Sequence, residues 1–302
     1  MHATVALARV AALVGCAVAG CGAPGASHVP DEALPYDRGF VASSERLRVT
    51  LGRDGIVLDT QPVLHTCDTP GVDRDCTRCD VATVLDQIDP ELVDQMAIAF
   101  ARYPSSIRKA ARLERVAFCR AITYERGTDH GPAGLADPNT HRVYISVEYF
   151  RGAGSGLSIE AAVHHEVFHL LDQATLGTRW TADSEWHALN PAGFAYRKPG
   201  DETKRPPGFV NTYALTDELE DRASTFEYLM VRPDDLCALA AKDDILARKV
   251  RLLWERVSRV DGAARLGVTA PCAVMKAKTG KKRKTKPTKP TQRTVRLRLD
   301  AR

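Results

Sequence analysis

Residues 165–169 read His165-Glu166-Val167-Phe168-His169, an H-E-x-x-H array inside an apolar run that covers residues 159–172. Each residue of an α-helix turns by about 100°, so side chains four apart stand on nearly the same face. On a helix, His165 and His169 aim two imidazoles at one metal ion, and Glu166 stands where it can take a proton from a water on that ion. Helical spacing is supported locally. Ser158 is a good N-cap, Gly177 a good stop, and Ile159, Ala162, Val163, Val167, Leu170, Leu171 and Ala174 form an apolar face. Few other folds of this stretch use those residues, so the rest of the chain is read for what it adds to this helix.

A catalytic zinc needs three protein ligands and one open position. The extended form of the motif, with Gly and His soon after the second His, is excluded because residues 170–175 read Leu-Leu-Asp-Gln-Ala-Thr. The third ligand must come from later in the chain, and His187, Glu218, Glu220, Asp221 and Glu227 are the candidates. Residues 217–230 have helical spacing, with Leu219, Ala223, Phe226 and Met230 as the buried stripe, Thr216 or Asp217 as cap and Pro233 as terminator. Spacing alone does not separate Glu218, Glu220 and Asp221. His164 is read as facing solvent or the outer edge of the site, and Trp186 and Tyr196 as core or rim aromatics.

Two segments together, residues 165–172 and residues 213–226 (Tyr-Ala-Leu-Thr-Asp-Glu-Leu-Glu-Asp-Arg-Ala-Ser-Thr-Phe), resemble a family of bacterial zinc-binding metallopeptidases. These are gluzincins similar to the catalytic domain of anthrax lethal factor. Asp172 three residues after the motif, Tyr213 seven before Glu220, and the Trp186, Asn190-Pro191 and Phe194–Tyr196 features carry the likeness, which spans residues 143–230. The resemblance implies a zincin-like fold, Zn2+ held by His165, His169 and Glu220, Glu166 as general base, and Tyr213 as donor to the oxyanion of a peptide substrate. One position departs from the family: a second Glu one turn after the ligand is Ser224 here, with Asp221 or Asp172 as substitutes.

Charge is unevenly placed. The net charge is +4, yet residues 276–302 carry twelve Lys or Arg against one acid, Asp300, so residues 1–275 are net negative. The basic character belongs to the tail, which argues against a nucleic-acid partner for the body and allows the tail to contact anionic envelope polymers. Residues 1–20 have an early Arg9, a short apolar run and small residues before Cys21, as in a lipoprotein signal. Export with a lipid on Cys21, anchoring the chain to a membrane of the bacterial envelope, is therefore expected, with plain secretion as the alternative. Cys67, Cys76, Cys79, Cys119, Cys237 and Cys272 then allow up to three disulfides. The C-x-x-C formed by Cys76 and Cys79 has no second pair and no His partners, so it is read as structural.

In chain order, the reading is a signal over 1–20, a tether over 21–60 with a strand pair near residues 52–55, one metallopeptidase domain over 61–275, and a disordered basic tail over 276–302. Two or three helices are expected between residues 81 and 118, strands over 119–124 and 142–147, a loop over 129–140, a flexible turn over 152–156, and a long irregular rim over 180–207. The strand over 142–147 is expected to lie directly before the motif helix, where it either offers a free edge to an extended peptide or is a plain strand of the sheet; sequence alone does not choose. One or two amphipathic helices complete residues 236–260. The fold class is α+β, mostly helical with a small mixed sheet. A non-catalytic envelope protein that binds partners on a peptidase scaffold is the alternative function.

Overall fold

The structure, a computed structural model, describes residues 43–59, 77–79, 88–124, 131–151, 157–197, 205–268 and 272. The signal, Cys21, the turn over 152–156 and the basic tail lie outside the described residues. The described chain opens with helix α1 (Ser43–Gly52) and strand β1 (Val57–Asp59). Leu47, Val49 and Leu51 alternate, which suggested a strand. Leu47 and Leu51 are also one helical turn apart, and both are buried while Val49 is 44% exposed. Burial therefore selects the helix. Residues 43–59 are part of the folded body, so the expected tether and strand pair are corrected there.

Strand β2 (Thr77–Cys79) precedes helices α2 (Pro90–Ala101) and α3 (Ser105–Ala110). Pro90 starts α2, where its missing N–H has no helical partner to lose. Asp89 caps the helix by accepting from the Glu91 N–H at 2.9 Å. Strands β3 (Arg115–Cys119), β4 (Ile122–Tyr124), β5 (Gly134–Asp137) and β6 (Arg142–Ser146) follow.

The main sheet has the order β1-β3-β6-β5, with β1, β3 and β6 parallel and β5 antiparallel to β6. Gly134 lies opposite Ile145 and Asp137 opposite Arg142. Strands β2 and β4 form a separate antiparallel pair. The strand expected over 142–147 is therefore present but internal, paired on both sides. The edge belongs to β5, inside the segment expected to be a loop. Helix α4 (Val147–Arg151) also intervenes between β6 and the motif helix.

That helix, α5 (Ile159–Leu176), runs through the core of the described residues. Ser158 Oγ accepts from the Ala161 N–H at 3.1 Å, and Gly177 ends the helix with φ +57°, a backbone that glycine adopts without strain. Every residue from 159 to 172 except Glu160 is buried. An apolar stripe alone did not announce a helix covered on all sides by α2, α7, β5 and β6. After α5 come α6 (Ser184–His187), α7 (Glu218–Val231), α8 (Pro233–Ala240) and α9 (Asp244–Val257). Phe168 of α5 stacks on Phe226 of α7, ring centroids 4.5 Å apart. The fold is thus α+β and helix-rich with a small mixed sheet.

Two buried polar clusters fix α7 in place. Arg222, fully buried, donates to Asp172 of α5 at 2.8 Å and to Glu218 at 2.9 Å. About 100° round the helix, Asp221 accepts from Lys249 Nζ at 2.7 Å, Trp186 Nε1 at 2.8 Å and the Tyr196 hydroxyl at 2.8 Å. Lys249 also lies 3.7 Å from the Phe209 ring centroid. The segment expected as a rim is therefore wired to α7 through Trp186, which is core, and Tyr196. Buried charges of this kind persist only when paired and hydrogen-bonded.

Disulfides join Cys79 to Cys119 and Cys237 to Cys272. The first ties β2 to the end of β3, so Cys79 of the C-x-x-C has a structural role. Cys67 and Cys76 lie outside the described residues. Two such bonds fit an oxidising compartment. Among the described residues, no helix is long and apolar enough to cross a membrane.

Candidate metal centre

The docking of α7 on α5 brings Glu220 to the two histidines of the motif. Glu220 Oε2 lies 2.7 Å from His165 Nε2 and 3.6 Å from His169 Nε2. One ligand atom from each of the three residues lies within 4.8 Å of the others, and this group can hold a metal ion. Donors bound to one tetrahedral ion at zinc distances stand roughly 3.4 Å apart. The two Glu220 separations bracket that value, so Glu220 stands near ligand spacing from both histidines.

Local sequence explains the placement of Glu220. Asp217 Oδ1 accepts from the Glu220 N–H at 2.9 Å, so the cap starts α7 with Glu220 at its third position. The other candidates are drawn elsewhere. Glu218 accepts from the Asp183 N–H at 2.6 Å and from Arg222. His187, half-exposed, lies 3.5 Å from Glu218. Asp221 faces Lys249, and Asp172 faces Arg222, so neither substitutes for the absent Glu at Ser224.

That position is filled from a different place. Glu227 is seven residues after Glu220, two turns along the same face of α7. Its Oε2 lies 3.3 Å from His165 Nδ1. The His165 ring thus has a carboxylate at each nitrogen: Glu220 at Nε2 and Glu227 at Nδ1. The sequence reading named Glu227 as a possible ligand and missed this role. The signal that could have found it is the i, i+7 spacing, combined with the rule that a metal-binding His is oriented through its other ring nitrogen.

Glu166 is buried beside the histidines and against the edge strand. The Ala136 backbone N–H donates to its carboxylate. Gly134 permits this approach, because a Cβ there would stand 2.6 Å from Glu166 Cγ and 2.8 Å from Oε1. Burial pushes the Glu166 carboxyl above its ordinary value, against the lowering charges of His165 and His169. For His165, burial acts to lower the pKa, but hydrogen bonds to Glu220 and Glu227 outweigh it and raise the group well above its usual range. Glu220 shows the converse: burial works upward, and the two histidines carry its carboxyl far below the usual range. Two buried carboxylates, Glu166 and Glu227, and the partly buried Glu220 around two imidazoles make a site that favours a cation.

Tyr213 sits in a short turn before α7, its ring 5.9 Å from the His165 ring and 49% exposed. His164, expected to face solvent or the site's outer edge, is instead fully buried on the far side of α5. There its Nδ1 meets the Tyr103 hydroxyl at 2.7 Å. About 100° of helix rotation separates it from His165, and this directs it into the core.

A cavity of about 550 Å³ opens beside His165 and Glu166. The 131–134 segment leading into β5 borders it on one side, and Glu227, Tyr228 and Arg232 of the α7 end on the other. The arrangement combines a cation-favouring donor set, a buried carboxylate and room for a substrate next to a sheet edge. No protein-family model, no curated protein and no solved structure matches the chain.

Proposed function

We propose that this protein is a zinc-dependent peptidase of the bacterial cell envelope, exported and anchored through lipidated Cys21. The observation that carries the reading is the convergence of His165, His169 and Glu220, with His165 and Glu166 lining a cavity that the 131–134 segment also borders. His165, His169 and Glu220 would hold the ion, and a site with three protein ligands would keep one position for water or substrate. Bound there, zinc supplies Lewis acidity toward water and a peptide carbonyl.

The chain's own groups do the rest. Strand β5, which no second strand pairs among the described residues, offers its edge to an extended peptide, in place of the internal β6. Glu166 accepts a proton from the attacking water and returns it to the departing amine as the C–N bond breaks. Glu227 holds the His165 ring in register through Nδ1. Tyr213, at the cavity edge beside His165, donates to the carbonyl oxygen as negative charge develops, an interaction strongest in the transition state.

The test combines metal content with turnover. Purified protein is expected to retain about one zinc per chain and to cleave members of a random peptide pool. Glu166→Gln keeps the metal and loses turnover. A wild type that holds zinc yet cleaves nothing in the pool overturns the reading.

A further inference from the structure

We propose that the Cys79–Cys119 disulfide positions Glu166 by way of strand β5, so that turnover needs this bond closed while metal binding does not. The proposal rests on the peptidase reading and adds an oxidation-dependent control to the same site. Side chains alternate across a strand, so a sheet has two faces to cover. Val116, Phe118, Val143 and Ile145 join the core that holds Val163 and Val167 of α5. From the opposite face, Ala117, Cys119 and Tyr144 join Cys79 of β2 and Ile122 of β4 in a second buried cluster. The disulfide lies inside that cluster and links β2 to β3.

Strand β5 is held between the two layers. On the α5 side, the Ala136 N–H donates to Glu166, and Gly134 lies against the Glu166 side chain. Leu135, between them, turns to the other face, where it lies opposite Tyr144 and packs on the second cluster. Among the described residues β5 pairs with β6 alone, so that packing is its support from behind. The cavity wall is tied to the same layer. Gly131 lines the cavity, and a Cβ there would collide with the Ile122 carbonyl, so its backbone rests directly on β4. His165, His169 and Glu220 stand on α5 and α7 and take no part in this layer. Opening the disulfide therefore loosens the base and one wall of the cavity and leaves the metal ligands in place. When the bond closes, the two thiols pass two electrons and two protons to a disulfide-bearing oxidant, which leaves as a dithiol.

The experiment uses zinc-loaded full-length protein as wild type, as Cys79→Ala/Cys119→Ala, as Leu135→Ala, and as Cys237→Ala/Cys272→Ala for the control. Three readouts are taken on each: amide hydrogen exchange over residues 131–137 and over α5, zinc content, and kcat and KM on the peptide pool. In Cys79→Ala/Cys119→Ala, exchange over 131–137 is expected to speed up about tenfold while α5 stays protected. Zinc stays at about one per chain, and kcat falls tenfold or more with a smaller change in KM. Leu135→Ala, which keeps the disulfide, moves the same readouts in the same direction, and the control moves none of them. Reduction of the wild type with a phosphine reproduces the loss, reoxidation restores turnover, and Cys79→Ala/Cys119→Ala does not respond. Unchanged exchange over 131–137, equal acceleration in α5, or a kcat within twofold of wild type overturns this proposal and leaves the peptidase reading standing. If Cys79→Ala/Cys119→Ala does not fold, Leu135→Ala decides by the same readouts. If the wild type cleaves nothing, the peptidase reading falls, and exchange alone decides whether the disulfide holds β5 on Glu166.

Discussion

Replacing Glu227 by alanine removes the carboxylate that faces His165 Nδ1 and leaves every proposed metal ligand in place. The magnitude follows from geometry. Partners of this kind are worth about 10- to 100-fold in metal affinity. A charge-assisted bond at its best is about 2.7–2.9 Å long. The Glu227 contact is 3.3 Å, so the loss belongs at the lower end, about tenfold or ~1.4 kcal/mol. Glu227→Gln keeps an oxygen to accept the Nδ1–H and loses only the charge, so about threefold is expected by the same scale. Zinc affinity is measured by competition with a coloured chelator at fixed pH, and circular dichroism verifies that the variants are folded. An alanine variant within twofold of wild type refutes the role assigned to Glu227. Equal losses for Gln and Ala refute the orientation argument and leave only the effect of charge.

Three further outcomes are expected. Gly134→Ala places a methyl group against Glu166 and displaces it, so turnover falls tenfold or more while zinc content is kept; an unchanged kcat contradicts the close approach of β5. Arg222→Met leaves the buried Asp172 without its partner, and urea unfolding should show a loss of about 3–5 kcal/mol; a change under 1 kcal/mol shows that the pair does not hold α5 to α7. For Asp183, burial acts to raise the carboxyl, but the Arg256 hydrogen bonds and charge prevail and lower it from 3.8. A lowered acid stabilises the fold above its unfolded value, and the contribution is lost as pH falls through the folded value. Asp183→Asn should therefore lower the melting temperature at neutral pH and narrow its gap to wild type below about pH 4; a gap that is constant with pH contradicts the assignment.

The motif helix was legible because its information is local. His165, Glu166 and His169 share a face by helical geometry alone, and Ser158 and Gly177 mark its ends by cap chemistry. The last two helices were legible for the same reason. Spacing did not separate Glu218, Glu220 and Asp221, since neighbouring acids on one helix differ only in direction. Resemblance singled out Glu220, and the Asp217 cap together with the α5–α7 packing explains why it is the one that faces the histidines.

Other features had no local signature. Strand β5 is a four-residue segment beginning in glycine, and it is a strand only because β6 supplies its hydrogen bonds. Helix α1 shares its leucine spacing with a strand, and only a core to bury Leu47 and Leu51 decides between them. Glu227 depends on two helices meeting at one rotation, which fixes which carboxylate meets His165 Nδ1. By itself, then, the sequence determined the chemistry on offer: two imidazoles and a carboxylate on one helical face, in a chain whose cysteines suit an oxidising compartment. Tertiary structure alone decided which acid completes the group, which one orients it, and which strand edge lies beside it. Those choices are relations between elements distant in sequence, and they come into being only when the elements pack.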